Sequence, residues 1–325
     1  MIGRIFRAEE VAHWLTYEDC IDAIRTAMSA FSQSGEAQPL REIMSIGNGI
    51  LFASMPGREA ATGHFGAKLG TVIRQGSREG RSRHRGLVVL FDGGTGDVKA
   101  IADAEAVTAI RTACASAVAT EALARENART LGLFGCGTQA HTHVHAIAHV
   151  RRLERVFVWG RDHGRAADFA ERVGREAKLD IAAVEDPREA AAADIVCTVS
   201  GASEPVLRGD WLRAGAHVNI VGSSYDGPRE VDDALVARGK LFVDSRRAVE
   251  VAGAEYRSAL TSGAISSDHI RGEVGEVLAG RIRGRTDPSE ITLYKSLGLI
   301  VQDLAAVDRL DINARAMQEA QAAAS

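Results

Sequence analysis

The chain has 325 residues, of which 46% are hydrophobic and 25% are charged, and its formal net charge is -4 at pH 7. Because domains usually contain about 100–200 residues, this length favours two domains, and the composition is sufficient for well-buried cores. The slight excess of acidic residues and the lack of a basic block argue against a nucleic-acid partner.

Cysteine usage and apolar runs indicate the compartment. The four cysteines are Cys20, Cys114, Cys136 and Cys197. They lack the spacing of a metal site or a redox motif, so we predict buried thiols of a reducing compartment and no bound metal. The sequence shows no signal-peptide pattern and no run of about 20 apolar residues, which is typical of a cytoplasmic protein without a membrane partner.

The first hundred residues predict helix and then strands. Apolar residues recur at helical spacing over 8–34, Thr16 is the type of residue that begins a helix, and Gly35 is expected to end it. The predicted strands are 50–55, 65–70, 86–91 and 98–101. The first of them should end at the turn 56–57, and the glycine-rich segment 92–97 makes the last two a hairpin. Consecutive strands without helices between them indicate an antiparallel or mixed sheet.

The second half of the chain alternates strands with helices. Residues 104–127 are rich in alanine and predict a long helix that carries the chain into the second domain. Short apolar strands are predicted at 131–134, 156–159, 195–199, 217–221 and 241–243. Helices are predicted at 162–177 and 231–238, and the chain should return to helix over 291–322. This alternation indicates a parallel, doubly wound sheet.

A glycine-rich turn follows the first strand of that sheet directly. It reads Gly135-Cys136-Gly137-Thr138-Gln139-Ala140. Gly135 permits a tight turn, Gly137 lets the backbone approach a pyrophosphate, and Ala140 stands where close helix–strand packing is required. The helix N-terminus offers free N–H groups to the phosphates. The context predicts a Rossmann dinucleotide site, with a tight strand–helix turn that binds no ligand as the alternative.

The end of the second strand bears on the choice between NAD and NADP. An acidic residue there would bond the adenosine ribose and repel a 2′-phosphate. Gly160 stands at the expected position of that acid and Arg161 follows, so we predict that NADPH is preferred and that NADH is also accepted. Asp162 is the acid if the register differs by two residues, and a solvated loop arginine is the alternative for Arg161.

Further motifs are distributed along the whole chain. They comprise 67–68 (Ala-Lys), 86–92 (GLVVLFD), 109–113 (AIRTA), 135–140, 222–224 (GSS), 273–277 (EVGEV) and 291–298 (ITLYKSLG). In order and spacing they resemble the ornithine cyclodeaminase and mu-crystallin family. The resemblance implies an α/β homodimer with a Rossmann doubly wound parallel sheet at 126–299. A discontinuous α+β substrate and dimerisation domain would combine 1–125 with the C-terminal helix 300–325.

The resemblance implies a class of chemistry and leaves the substrate open. It implies hydride transfer between a nicotinamide and the alpha carbon of an amino or imino acid. Family activities include ornithine cyclodeaminase, archaeal-type alanine dehydrogenase, and reductases of cyclic ketimines and of 1-pyrroline-2-carboxylate.

The resemblance also implies that Arg41, Lys68 and Arg111 bind the substrate carboxylate. Two of them stand out without it, because Lys68 lies in an apolar strand and Arg111 interrupts an apolar helix. A charge so placed is costly unless it has a partner. Each residue also has an explanation without a substrate. Arg111 could form an internal ion pair, and Lys68 could reach solvent along its aliphatic stem. His84 is a further candidate donor, although a loop histidine is more often solvated.

The residue at position 224, a serine here, distinguishes the cyclodeaminases of this family from its reductases. Ornithine cyclodeaminases are implied to carry an aspartate at this position for the distal amine of the substrate, and a serine is neither an anionic partner nor a ready base. Asp226 lies two residues on and would be displaced. We predict Lys68, Arg111 and Ser224 as catalytic residues, with Ser224 positioning water or the imine nitrogen.

These observations lead to one predicted activity and three alternatives. The predicted cofactor residues are Gly135, Cys136, Gly137, Thr138, Gln139, Arg161, Thr198, Ser223 and Ser296. The predicted activity is NAD(P)H-dependent reduction of a cyclic imino acid, first 1-pyrroline-2-carboxylate, to an L-proline-type product. The alternatives, in order, are an alanine-dehydrogenase-like enzyme, an ornithine cyclodeaminase, and a crystallin-like protein that binds a small molecule without turnover.

Overall fold

The computed structural model of the protein describes residues 3–73 and 84–324. The chain divides into two compact units, each with its own sheet. Unit 1 comprises Met1–Arg111 and Leu299–Ser325, and unit 2 comprises Thr112–Gly298.

Two helices of unit 1 replace the single helix expected over 8–34. They are α1 (Ala8–Trp14) and α2 (Tyr17–Ser34). Thr16 separates them, because its backbone is extended and its Oγ1 accepts a hydrogen bond from the Asp19 N–H at 3.1 Å, which caps α2. Gly35 ends α2 in the left-handed conformation, with a φ of 65°, as predicted.

Unit 1 contains a mixed sheet, as predicted. Its strands are β1 (Arg4–Phe6), β2 (Glu42–Gly47), β3 (Ile50–Arg58), β4 (Phe65–Ile73), β5 (His84–Phe91) and β6 (Val98–Asp103). Their order is β1-β6-β5-β4-β3-β2, with β1 parallel to β6 and the other neighbouring pairs antiparallel. The pairing of β5 with β6 confirms the predicted hairpin.

The turn expected at 56–57 is wrong, because β3 runs through Pro56 and Gly57 in register with β4. Glycine is required there for packing: a Cβ at Gly57 would lie 2.3 Å from Ile300 Cγ2. Ile300 begins the last helix, α11 (Ile300–Ala324), which packs on β3, β4 and β5. The C-terminal helix is therefore part of unit 1.

The long helix α3 (Ala104–Leu123) ends earlier than the predicted limit of 127. The boundary between the units falls inside it, after Arg111, whereas the sequence placed a domain limit at 125. The second half of α3 belongs to unit 2 because its side chains are bonded there. Ser116 Oγ, for example, lies 2.9 Å from His143 Nε2.

Unit 2 contains a parallel sheet in the order β13-β12-β14-β11-β10-β7-β8-β9. Its strands are β7 (Thr130–Phe134), β8 (Arg155–Trp159), β9 (Ile181–Ala183), β10 (Ile195–Thr198), β11 (His217–Ile220), β12 (Lys240–Val243), β13 (Ile270–Glu273) and β14 (Thr292–Lys295). The chain runs outward from β7 to β9 and returns to β10 on the other side of β7. This creates the topological switch point of a Rossmann sheet and confirms the predicted doubly wound fold.

The helices of unit 2 are α4 (Thr138–Val150), α5 (His163–Ala177), α6 (Pro187–Ala191), α7 (Asp233–Arg238), α8 (Arg246–Ala252), α9 (Ala254–Thr261) and α10 (Val274–Leu278). The helix predicted over 291–322 is wrong at its start, because β14 precedes α11. All four residues of β14 are buried, so the strand lacks the alternation that reveals a half-buried strand. Within 3–73 and 84–324, no helix combines the length and the apolar character that a bilayer crossing requires.

Candidate functional site

The glycine-rich turn of unit 2 joins β7 to α4 at the switch point. Gly135 has a φ of 124°, and a Cβ there would lie 2.8 Å from the Val199 carbonyl oxygen, so a side chain is excluded. Gly137 differs, because a Cβ placed on it would meet no described atom within 4 Å. Gly137 and Thr138 are both exposed. A ligand can therefore approach the backbone of this turn closely.

The first turn of α4 offers backbone donors to such a ligand. Gly137 is its N-cap and makes no side-chain cap hydrogen bond. Thr138, Gln139 and Ala140 form the first turn, and Ala140 is fully buried, as close packing of the helix requires. Free N–H groups and the positive end of the helix dipole attract phosphate. These residues fit the pyrophosphate of a dinucleotide.

Gly160, Arg161 and Asp162 follow β8, the strand beside β7. A Cβ at Gly160 would lie 3.4 Å from Cys136 Sγ, so the end of β8 is next to the glycine-rich turn. Asp162 caps α5 by accepting a hydrogen bond from the Arg165 N–H at 3.1 Å, which gives this acid a structural role. Arg161 is exposed.

The other predicted cofactor residues lie at the carboxyl ends of parallel strands. Thr198 ends β10, Ser223 follows β11 and Ser296 follows β14, and all three are buried. The Val199 N–H donates to the Phe134 carbonyl at 3.0 Å, so the end of β10 adjoins the glycine-rich turn. Carboxyl ends of parallel strands meet at one edge, which is where open α/β sheets bind ligands.

Ser223 belongs to a buried charged network. Lys295 Nζ donates to Ser223 Oγ at 2.7 Å and lies 2.8 Å from the Glu255 carboxylate, and Ser223 Oγ donates to Glu255 at 2.5 Å. Each of the three is at most 2% exposed. Burial alone would raise the pKa of Glu255, but the Lys295 charge holds it below its usual range. The sequence analysis missed Lys295 and Glu255, because a pair that joins β14 to α9 has no local signature.

Lys68 and Arg111 meet on one carboxylate in unit 1. Lys68 Nζ lies 3.0 Å and Arg111 Nε 3.1 Å from Asp303 Oδ1. Lys68 also donates to Thr108 Oγ1, and Arg111 Nη1 donates to Gln302 Oε1 at 3.0 Å. The side chains of Lys68, Arg111 and Asp303 are 17%, 5% and 0% exposed. The internal ion pair considered for Arg111 is therefore present, and Lys68 shares it.

Burial makes Lys68 easier to deprotonate than an ordinary lysine. It lowers the pKa of Lys68 to about 8; Asp303 opposes this shift, whereas Arg111 and Arg41 add to it. Burial would raise the pKa of Asp303, but Arg111 and Lys68 hold it below its usual range. Arg41 Nε donates to Met55 Sδ at 3.3 Å, and Met55 is the cross-strand partner of Lys68. With three cations and one carboxylate, the group has an excess of positive charge when all four are ionised.

Asp303 and Gln302 were not predicted from the sequence. Both are fully buried near the start of α11, among apolar neighbours such as Val301 and Leu304. A carboxylate inside an apolar helix is the same signal that singled out Lys68 and Arg111, and it would have identified Asp303.

The remaining candidates have less defined surroundings. Ser224 is half-buried in the segment after β11. Asp226 is exposed and lies 3.4 Å from Arg257 Nε, so its carboxylate already has a cationic partner. His84 begins β5, and its side chain lies outside the described part of the chain.

A family model described as the ornithine cyclodeaminase/mu-crystallin family matches residues 4–317. The ketimine reductase mu-crystallin of Mus musculus is 34% identical over 305 residues, which cover 92% of this chain and 93% of the relative. A Delta(1)-pyrroline-2-carboxylate reductase of Paracoccus denitrificans is 35% identical over 300 residues, which cover 90% and 94% of the two chains.

Two solved structures are similar over almost the whole chain. The Delta(1)-pyrroline-2-carboxylate reductase of Thermococcus litoralis, in complex with NADH and L-proline, has a TM-score of 0.92 and 29% identity, with 98% of each chain covered. An archaeal alanine dehydrogenase dimer with bound NAD has a TM-score of 0.91 and 25% identity, again with 98% of each chain covered.

Proposed function

The chain belongs to the ornithine cyclodeaminase/mu-crystallin family, and we propose that it is an NAD(P)H-dependent reductase of a cyclic imino acid. The first substrate is 1-pyrroline-2-carboxylate and the product is L-proline. The names of the Paracoccus denitrificans relative and of the Thermococcus litoralis complex support this substrate class. The observation on this chain that carries the proposal is the cluster of Lys68 and Arg111 on Asp303.

A cyclic imino acid presents a carboxylate beside a carbon–nitrogen double bond. The cluster retains positive charge after Asp303 is counted, and its cations are largely removed from water, which strengthens their attraction for an anion. Arg41 adds a third cation. We propose that Arg41, Lys68 and Arg111 bind the carboxylate, with Asp303 and Gln302 orienting the two inner side chains.

Unit 2 is proposed to hold the nicotinamide cofactor. Backbone N–H groups of 135–139 would bind the pyrophosphate, with Thr198, Ser223 and Ser296 at the same edge of the sheet. When bound, the nicotinamide supplies the hydride that reduces the carbon–nitrogen double bond. The similar solved structures contain NADH or NAD. Arg161 and the capping role of Asp162 support a preference for NADPH in this chain.

Ser224 favours a reductase over a cyclodeaminase. Ornithine carries a distal ammonium group that needs a counter-charge or a base, and a hydroxyl supplies neither. Asp226 is paired with Arg257 and is exposed, which makes it a poor replacement. A cyclic imino acid has no distal ammonium, so Ser224 suffices to position water or the imine nitrogen.

We also propose a homodimer formed through β2. This edge strand is exposed along its length, and Ile43, Met44 and Ile46 are 52%, 60% and 57% exposed. An apolar edge strand without cover favours pairing with another chain. The similar alanine dehydrogenase is a dimer. The cytoplasm is the proposed compartment, because all four cysteines are free and three of them are buried.

Cofactor oxidation tests the proposal directly. The purified protein is assayed with NADPH and NADH against 1-pyrroline-2-carboxylate, against pyruvate with ammonia, and for ammonia release from L-ornithine. We expect turnover of the cyclic imine, and loss of most of it in Lys68→Ala and Arg111→Ala. If pyruvate with ammonia is the only substrate turned over, the protein is an alanine dehydrogenase. Proline formation from ornithine would identify a cyclodeaminase. Binding without any turnover would support the crystallin-like alternative.

A further inference from the structure

Two histidines and a glutamate of unit 2 converge outside the sites described above. His141 and His145 are four residues apart on α4, so they lie on one face of the helix. Glu176 comes from the last turn of α5. His141 Nε2 lies 2.9 Å and His145 Nε2 3.3 Å from the same Glu176 oxygen, and the three ligand atoms are all within 4.8 Å of one another.

We propose that His141, His145 and Glu176 form a binding site for a divalent transition-metal ion of the zinc type. A tetrahedral zinc ion with bonds of about 2.0–2.1 Å holds its ligand atoms about 3.3 Å apart. The two nitrogen–oxygen distances of 2.9 and 3.3 Å are close to that spacing. The two imidazole rings are neighbours, with centroids 4.8 Å apart, and the three ligand atoms lie within 4.8 Å of one another.

The ligand types select the class of ion. Imidazole nitrogen suits zinc, copper, nickel and cobalt, whereas magnesium and calcium prefer sites built from oxygen alone. Three protein ligands leave one tetrahedral position for water. The side chains of His141, His145 and Glu176 are 27%, 20% and 47% exposed, so solvent reaches that position.

Hydrogen bonding within the group is the competing explanation. In that case the Glu176 carboxylate is hydrogen-bonded to His141 and lies beside the His145 imidazole, and the contact only fastens α5 to α4. The two explanations differ in what a metal ion does to the protein. An ion bound by ligands from both helices binds the folded state more tightly than the unfolded chain, so the thermal stability rises with its concentration.

The proposed site departs from the sequence-based prediction that the chain binds no metal. That prediction rested on the spacing of the cysteines, and this site uses imidazole and carboxylate. His141 and His145 have the helical spacing of a metal-binding pair in the sequence, but Glu176 is 31 residues further than His145 and is brought in by the packing of α5.

The experiment is titration of zinc chloride into the tag-free, full-length protein, followed by calorimetry. We expect a single ion per chain. His145→Ala and Glu176→Gln should each weaken the zinc affinity by about tenfold or more, because each removes a direct ligand. His163→Ala is the matched control: it is an exposed histidine of the same unit, and it begins α5, about 20 Å along the helix from Glu176. This control should keep the wild-type affinity.

Two further measurements keep the proposal falsifiable. Cobalt(II) in place of zinc should give the visible absorption of a tetrahedral ion without the near-ultraviolet band of a cobalt–thiolate bond, which separates this site from the partly exposed Cys136. At one fixed zinc concentration, zinc should raise the melting temperature of the wild type and of His163→Ala more than that of the two ligand variants, whose fold is checked by circular dichroism in EDTA. Equal zinc affinity in all four proteins, or no saturable binding by the wild type, would overturn the site.

Discussion

The protonation of Lys68 should set the pH at which this protein loses affinity for carboxylates. Burial lowers the pKa of Lys68 to about 8. Only the protonated amine attracts a carboxylate, so binding is at full strength below that pH. Above it the dissociation constant should rise by up to about tenfold per pH unit, because each unit removes up to about 1.4 kcal/mol of the interaction, until Arg41 and Arg111 alone hold the anion.

Asp303→Asn should move this loss of affinity to lower pH. The Asp303 carboxylate lies 3.0 Å from Lys68 Nζ and is the charge that raises the pKa of this lysine. At that distance and an effective dielectric of about 20, the attraction has an upper bound of about 5 kcal/mol. If Asp303→Asn removes only a quarter of that attraction, the pKa of Lys68 falls by about one unit. The midpoint of the binding curve should therefore fall by about one pH unit or more.

The assay is calorimetric binding of pyrrole-2-carboxylate to the protein with its cofactor, from about pH 6 to 10, where this planar anion does not titrate. Removing one partner from a buried ion pair costs about 3–5 kcal/mol, so unfolding is checked for Asp303→Asn. Lys68→Arg is the matched variant, since its guanidinium stays charged over this range and the midpoint near pH 8 should disappear. The same midpoint in the wild type and in Lys68→Arg would refute the role of Lys68, and an unmoved midpoint in folded Asp303→Asn would refute that of Asp303.

Three more outcomes are expected from single substitutions. Gly137→Val should abolish cofactor binding in calorimetry while the protein stays folded, because its side chain would enter the open space in which the pyrophosphate is proposed to lie; unchanged affinity would exclude the proposed turn. Arg161→Ala should weaken NADPH by about 1.5–3 kcal/mol and leave NADH nearly unaffected in KM measurements, and equal losses would contradict the 2′-phosphate contact. Met44→Asp should give a monomer in light scattering, because it charges the exposed edge strand β2, and a persistent dimer would place the interface elsewhere.

Elements with a local signal were predictable from the sequence. The strand, glycine-rich turn and helix at 131–150 have an apolar run, a backbone constraint at Gly135 and a helical pattern in immediate succession. The end of α2 at Gly35 is equally local. In contrast, β14 pairs with two strands and is buried throughout, so its sequence resembles that of the adjoining helix. Short β9 and β13 were missed because a few residues carry too little periodicity.

Residues of the candidate site were predictable where a charged side chain stands in an apolar segment of the sequence. Lys68 and Arg111 were found because a charge in an apolar segment requires a partner, yet the partner itself was not identified. Asp303 is 192 positions from Arg111 along the chain, and only the packing of α11 on the sheet of unit 1 brings them together. Ser223 was predicted as a cofactor residue, but the sequence did not reveal that its hydroxyl is already hydrogen-bonded to Lys295 and Glu255.

The two buried charged clusters differ in charge balance, and we infer different roles for them from that difference. In unit 2, Lys295 pairs with Glu255, and the backbone N–H of the buried Glu230 donates to Glu255 at 3.2 Å, so the network has no excess of positive charge. A buried network without excess positive charge does not attract an anion, and its effect is to fasten β14 to α9. In unit 1, Asp303 balances only part of the charge of Lys68 and Arg111, and Arg41 adds more. Folding tolerates this excess because Lys68 is partly exposed and easily deprotonated. A protein that needed only stability would gain from losing the excess charge, so its presence supports the recognition of an anionic substrate there.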